Sequence, residues 1–174
     1  MVPSESETER KLRDRRLIFY EDDVERINKA LDNYQSLSKS KCNILIDIEG
    51  HPVTQVGTTE GINLETISAL VAASFAATKE VAKILGQNEF TTLNHQGKNE
   101  SIQLTLVGDR TILATIYDLQ STTPGMVMFY TKELVEKLNV VFKEIAGRKN
   151  QQVDLGEGFE DMAKDVLDDM FGDV

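Results

Sequence analysis

At 174 residues, 40% hydrophobic and 28% charged, the chain has the make-up of a globular protein and the length of one ordinary domain with tails. Its net charge of -10 repels phosphate backbones and anionic lipid, which sets aside nucleic acid as a partner and direct membrane insertion as a mode of action. A single cysteine, Cys42, cannot form an internal disulfide or complete a zinc site. No apolar run reaches the roughly 20 residues of a membrane span, and residues 1–16 lack the apolar stretch of a signal peptide, so a cytoplasmic protein is expected.

Residues 1–16 carry five basic and four acidic side chains and almost nothing to bury, the composition of a disordered arm. Its basic cluster, Arg10, Lys11, Arg13, Arg15 and Arg16, is either solvated or a contact for a partner. A first helix is predicted over 20–37, where Val24, Ile27, Leu31 and Tyr34 recur at helical spacing. Strands at 43–48 and 52–57 flank Glu49-Gly50-His51, a hairpin turn in which glycine takes positive φ at little cost. Asn63 caps a second helix that runs to Leu85 and stops at Gly86.

Three further strands, at 90–94, 101–107 and 111–118, are separated by turns at 96–99 and 108–110 and make an antiparallel meander. A last helix follows Pro124-Gly125, carries Val127, Thr131, Leu134, Leu138, Val141 and Ile145 on one stripe, and ends at Gly147. The order α-ββ-α-βββ-α predicts an α+β sandwich with a five-stranded antiparallel sheet, occupying residues 17–147.

The remaining tail, 148–174, sets eight acidic against three basic residues. Residues 149–158 are polar and contain glycine, as a flexible linker does. Beyond them Phe159, Met162, Val166, Leu167, Met170 and Phe171 recur at helical spacing, with Glu160, Asp161, Asp165, Asp168 and Asp169 opposite. This is an amphipathic helix too short to stand alone, which docks either on a partner or on its own domain.

The second helix is the informative element. Apolar and small residues run almost all the way round it, among them Leu64, Ile67, Leu70, Val71, Phe75, Val81 and Ile84, more than one sheet face can cover. A helix of that kind in a small domain is expected to be buried on one side by its own sheet and on the other by a second chain. Ala69, Ala73, Ala76 and Ala77 form a strip nearly free of side chains where another backbone can come close. The plainer alternative is that alanine is the best helix former.

Catalytic constellations are missing. His51 and His95 fall in predicted turns with no ligand-spaced cysteine or carboxylate, Cys42 opens a strand, and no glycine-rich loop precedes a helix N-terminus. The acidic C-terminal residues lack the spacing of a calcium hand. No metal, no cofactor and no active site are expected.

The element order, with Phe19-Tyr20-Glu21, Ile46-Asp47-Ile48-Glu49-Gly50, Ser68 to Ala77, Leu85-Gly86-Gln87-Asn88-Glu89-Phe90 and Leu106-Val107-Gly108-Asp109-Arg110, resembles the Roadblock/LC7 family over residues 17–145. Within that family it is similar to the MglB group of bacterial gliding-motility and polarity regulators. The resemblance implies a homodimer whose second helices pack together and whose following strands pair across the two-fold axis, with Phe75, Phe90, Thr92 and Asn94 in the contact. It also implies that the dimer docks one Ras-like GTPase of the MglA type through Thr66, Ala69, Leu70, Ala72, Ala73, Ala76 and Ala77. It further implies stimulation of GTP hydrolysis, assistance to nucleotide exchange by the C-terminal helix, and recruitment to a cell pole. Relatives often carry glycine where Ala73 stands.

An arginine finger must reach the γ-phosphate, yet the second helix holds no arginine. Arg110, in a turn, is expected to be solvated. Any acceleration is therefore expected to come from repositioning the GTPase's own catalytic groups. A scaffold or adaptor without effect on hydrolysis, a small-molecule sensor and an enzyme are the rival readings.

Overall fold

This computed structural model describes residues 18–171, with side chains through residue 148. The chain divides into two compact units, Tyr20–Val141 and a second that holds, among the described residues, 18–19 and 142–171. In the first, helix α1 spans Glu21–Ser38 and opens where the Asp23 carboxylate accepts from the Tyr20 backbone N–H at 3.1 Å. Three acids in its first turn sit where the helix dipole favours negative charge. Its inward stripe is Ile27, Leu31 and Tyr34, all buried.

Strands β1 (Cys42–Asp47) and β2 (Pro52–Gly57) form the expected hairpin, and Gly50 in its turn adopts φ +94. Helix α2 spans Leu64–Ile84 and is capped by the Asn63 side chain, which accepts from the Thr66 N–H at 2.9 Å. It stops in a Schellman motif: Gly86 turns left-handed at φ 70, its N–H reaches the Lys83 carbonyl, and the Gln87 N–H reaches the Ala82 carbonyl. Strands β3 (Thr92–Gln96), β4 (Glu100–Val107) and β5 (Thr111–Asp118) complete an antiparallel sheet of order β2-β1-β5-β4-β3. Helix α3 follows as Pro124–Phe171.

Strand periodicity divides the interior in two. Cys42, Ile44, Ile46, Leu104, Ile112, Ala114 and Ile116 share a core with Val71 and Phe75 of α2. Alternate residues take the other face, where the Tyr34 hydroxyl lies 3.1 Å from Thr115 Oγ1 and 2.8 Å from Thr131 Oγ1 of α3. Gln103 donates to the same Thr131 oxygen at 3.0 Å. The unit therefore has three layers: α1 and the first part of α3, the sheet, and α2. In the second unit, Phe19 meets Phe142 edge to face, with ring centroids 5.8 Å apart.

Three expectations are corrected. Strand β3 begins at Thr92, not at Phe90, and His95 lies within it opposite Ile102, not in a turn. The last helix does not end at Gly147 but continues to Phe171, so residues 149–158 are helical where a flexible linker was expected. A glycine inside a helix costs about 1 kcal/mol relative to alanine but stops it only when it turns left-handed, and Gly147 stays in the helix. The basic arm at residues 1–16 and the side chains of Phe159, Met162, Val166, Leu167, Met170 and Phe171 lie outside the described residues. No helix among the described residues is long and apolar enough to cross a membrane.

Candidate protein-docking surface

Helix α2 buries one side and leaves the other open. Ser68, Val71, Ala72, Phe75 and Ala82 face the sheet, whereas Leu70 is 64% exposed, Val81 49% and Ile84 84%. At 100° per residue, Leu70, Ala77, Val81 and Ile84 fall within about 60° of one another, and Ala69, Ala73 and Ala76 form a second strip about 80° further round. One strip offers bulk, the other only methyl groups. Thr66 stands exposed at the N-terminal end of this face.

Two positions assigned to this surface from the sequence face the interior of the chain itself. Ala72, expected to touch the GTPase, is 7% exposed and faces inward; Phe75, expected in the dimer contact, is 9% exposed and belongs to the protomer's own core. The reason is phase: Ala72 lies about 100° from Ala73 on the helix, and a helix apolar all round gives no sign of which side meets the sheet. The other assigned positions, Ala69, Leu70, Ala73, Ala76 and Ala77, are exposed.

The β1–β2 turn supports α2 at its N-terminal half. A side-chain carbon at Gly50 would lie 3.0 Å from the Ala69 backbone Cα, in a left-handed conformation that side chains rarely adopt, so glycine suits this close approach. The turn is tied in place from the other side: Arg110 forms an ion pair with Glu49, and the Ile48 N–H donates to the Arg110 carbonyl at 3.1 Å. With its side chain 16% exposed, Arg110 is not the solvated turn residue that was expected. It holds the β1–β2 and β4–β5 turns together. No sequence signal marks this, because the two residues are 61 positions apart.

At the sheet's edge, β3 pairs with β4 on one side and with no strand among the described residues on the other. Thr92, Asn94 and Gln96 are exposed along it, and Asn94 accepts from the Tyr117 hydroxyl at 3.2 Å. Phe90 lies just before the strand, half-buried.

The side chains with chemical potential have structural partners. His51 sits against Asp47, with its backbone N–H at 2.8 Å from Oδ1 and Nδ1 at 3.1 Å from Oδ2. Cys42 is buried and burial pushes its thiol pKa up, away from a nucleophilic thiolate. Among the described residues, no three His, Cys, Asp or Glu are placed to hold a metal ion.

The Roadblock/LC7 domain model matches residues 26–117, more than half of the chain. The chain belongs to the Roadblock/LC7 family. Among solved structures, this Roadblock/LC7 protein is similar to MglB of Myxococcus xanthus, at 30% identity, with a TM-score of 0.69, over 74% of this chain and 96% of that one. A gliding protein MglB from Thermus thermophilus aligns at 26% identity and TM-score 0.68, with the same two coverages. So does an MglB described as having a tetrameric arrangement. No curated protein sequence matches the chain.

Proposed function

We propose that this Roadblock/LC7 protein is a homodimeric regulator of a Ras-like small GTPase of the MglA type. The observation that carries the reading is the outer face of α2, where Leu70, Val81 and Ile84 stand open beside Ala69, Ala73 and Ala76. Covering each large side chain contributes roughly 1.5–3 kcal/mol, and water is an unfavourable neighbour for all of them. The bulky strip, to which Leu70 and Ala77 pass from the contact expected for the GTPase, suits a second copy of the chain, and so does the open β3 edge carrying Thr92 and Asn94. The small strip suits a GTPase surface that needs to come close. The likeness to MglB structures supports the reading as a regulator of this kind, and the division between the two strips rests on side-chain size alone.

Helix α2 contains no arginine, and Arg110 is committed to Glu49. Stimulation of hydrolysis therefore works by ordering the GTPase's own catalytic loops, a shift of population without donated chemistry. The C-terminal part of α3 assists nucleotide release at the high effective concentration of a tethered segment. The same lack of a finger also suits a scaffold that binds without activating. Single-turnover GTP hydrolysis by the MglA-type GTPase, with and without the homodimer, separates the two: a rise in rate is expected, and an unchanged rate on a saturated complex leaves the scaffold reading standing.

A further inference from the structure

Beside the small-residue strip of α2 lies an open pocket of about 160 Å³. Phe75, Leu106 and Ile112 supply apolar lining, joined by Ile48, Ala72, Ala76 and Phe90, the last a residue that the family resemblance placed in the dimer contact. A cavity of about 150 Å³ lined by such residues accommodates one benzene ring, so this pocket has room for a single aromatic or large aliphatic side chain. Ala76 belongs both to the pocket and to the strip, which makes the pocket continuous with the surface assigned to the GTPase. Its polar lining is Lys79, Glu89 and Asp109, two carboxylates to one ammonium. That balance favours a cation beside the entering group.

We infer that this pocket receives one aromatic or large aliphatic side chain of the docked GTPase, presented next to a lysine or arginine that meets Glu89 and Asp109. This rests on the proposed docking of the GTPase on α2 and adds the residue class that gives it specificity. The pocket is pre-formed. Ile48 and Asp109 come from the two turns that the Glu49–Arg110 pair and the Ile48–Arg110 backbone bond tie together, so little ordering is needed on binding. An apolar anchor in such a pocket, with charges at its margin, has the anatomy of an interface hot spot.

The test measures binding of the full chain to the MglA-type GTPase loaded with a non-hydrolysable GTP analogue. Ile48→Trp fills the pocket from a wall that is not part of α2, and the double variant Glu89→Lys/Asp109→Lys reverses its charge without touching the core. Each is expected to weaken binding tenfold or more while the protein stays dimeric, and the double variant is expected to lose the weakening by salt that wild type shows. Ala73→Arg serves as the control for docking itself. If Ala73→Arg abolishes binding and both pocket variants bind as wild type, the pocket inference is overturned and the docking stands. If Ala73→Arg binds normally as well, the docking reading fails with it. Should Ile48→Trp convert the dimer to monomer, the occupant is a second copy of this chain and the inference is overturned.

Discussion

Gly50 sets how close the first hairpin comes to the proposed docking helix, since at φ +94 a side chain is strained and its β-carbon would press on the Ala69 backbone at 3.0 Å. Gly50→Ala is expected to cost roughly 1–3 kcal/mol, through left-handed strain and the displaced turn, read as a lowered melting temperature; an unchanged melt would contradict the close approach. Tyr34 makes a different contribution, bridging Thr115 and Thr131 across the sheet face. Tyr34→Phe removes two buried partners and is expected to cost on the order of 1–3 kcal/mol. Burial raises the Tyr34 pKa above its ordinary 10.0. As pH climbs past that value the unfolded chain loses the proton first, so stability present below pH 10.0 is lost as pH rises toward the folded-state value. Chemical denaturation on both sides of pH 10.0 should show wild type losing more stability than Tyr34→Phe, and equal losses would sink this assignment.

At the scale of elements, what local chemistry decides was legible beforehand: the Asn63 cap, the Gly86 stop and the alternation along β4 and β5 each depend on neighbouring residues. What depends on distant contacts was not. Nothing local tells Ala72 from Ala73, and the pairing of Glu49 with Arg110 appears only when two turns meet in space. Gly147 misled for a related reason, because a glycine ends a helix only if the chain beyond it turns away. The open side of α2 gives the next prediction. Leu70→Glu combined with Ile84→Glu puts charge on the bulky strip and leaves the inward stripe intact, so a folded monomer near 19.5 kDa is expected in sedimentation equilibrium. A dimer of undiminished affinity would move the self-contact elsewhere. For α3, truncation after Arg148 is expected to keep the dimer and most stimulation of hydrolysis while slowing release of a fluorescent GDP analogue. Equal release rates would remove the assigned role of the C-terminal segment.

At the largest scale, the three layers of the Tyr20–Val141 unit place α2 alone on one side of its sheet, with α1 and the first part of α3 on the other, so a single helix carries the proposed contacts with both a second copy and a GTPase. In the proposed reading the two strips divide that work: bulk for the copy, methyl groups for the GTPase. Ala73→Arg separates them, since it places a long charged side chain on the small strip and leaves Leu70, Val81 and Ile84 in place. Light scattering on the separated mixture of this protein and the GTP-analogue-loaded MglA-type GTPase reads both contacts at once. Wild type is expected to elute as a homodimer bound to one GTPase, and Ala73→Arg as a homodimer beside free GTPase, with affinity reduced on the order of 100-fold or more. An Ala73→Arg complex of the same mass and affinity as wild type would contradict docking on α2.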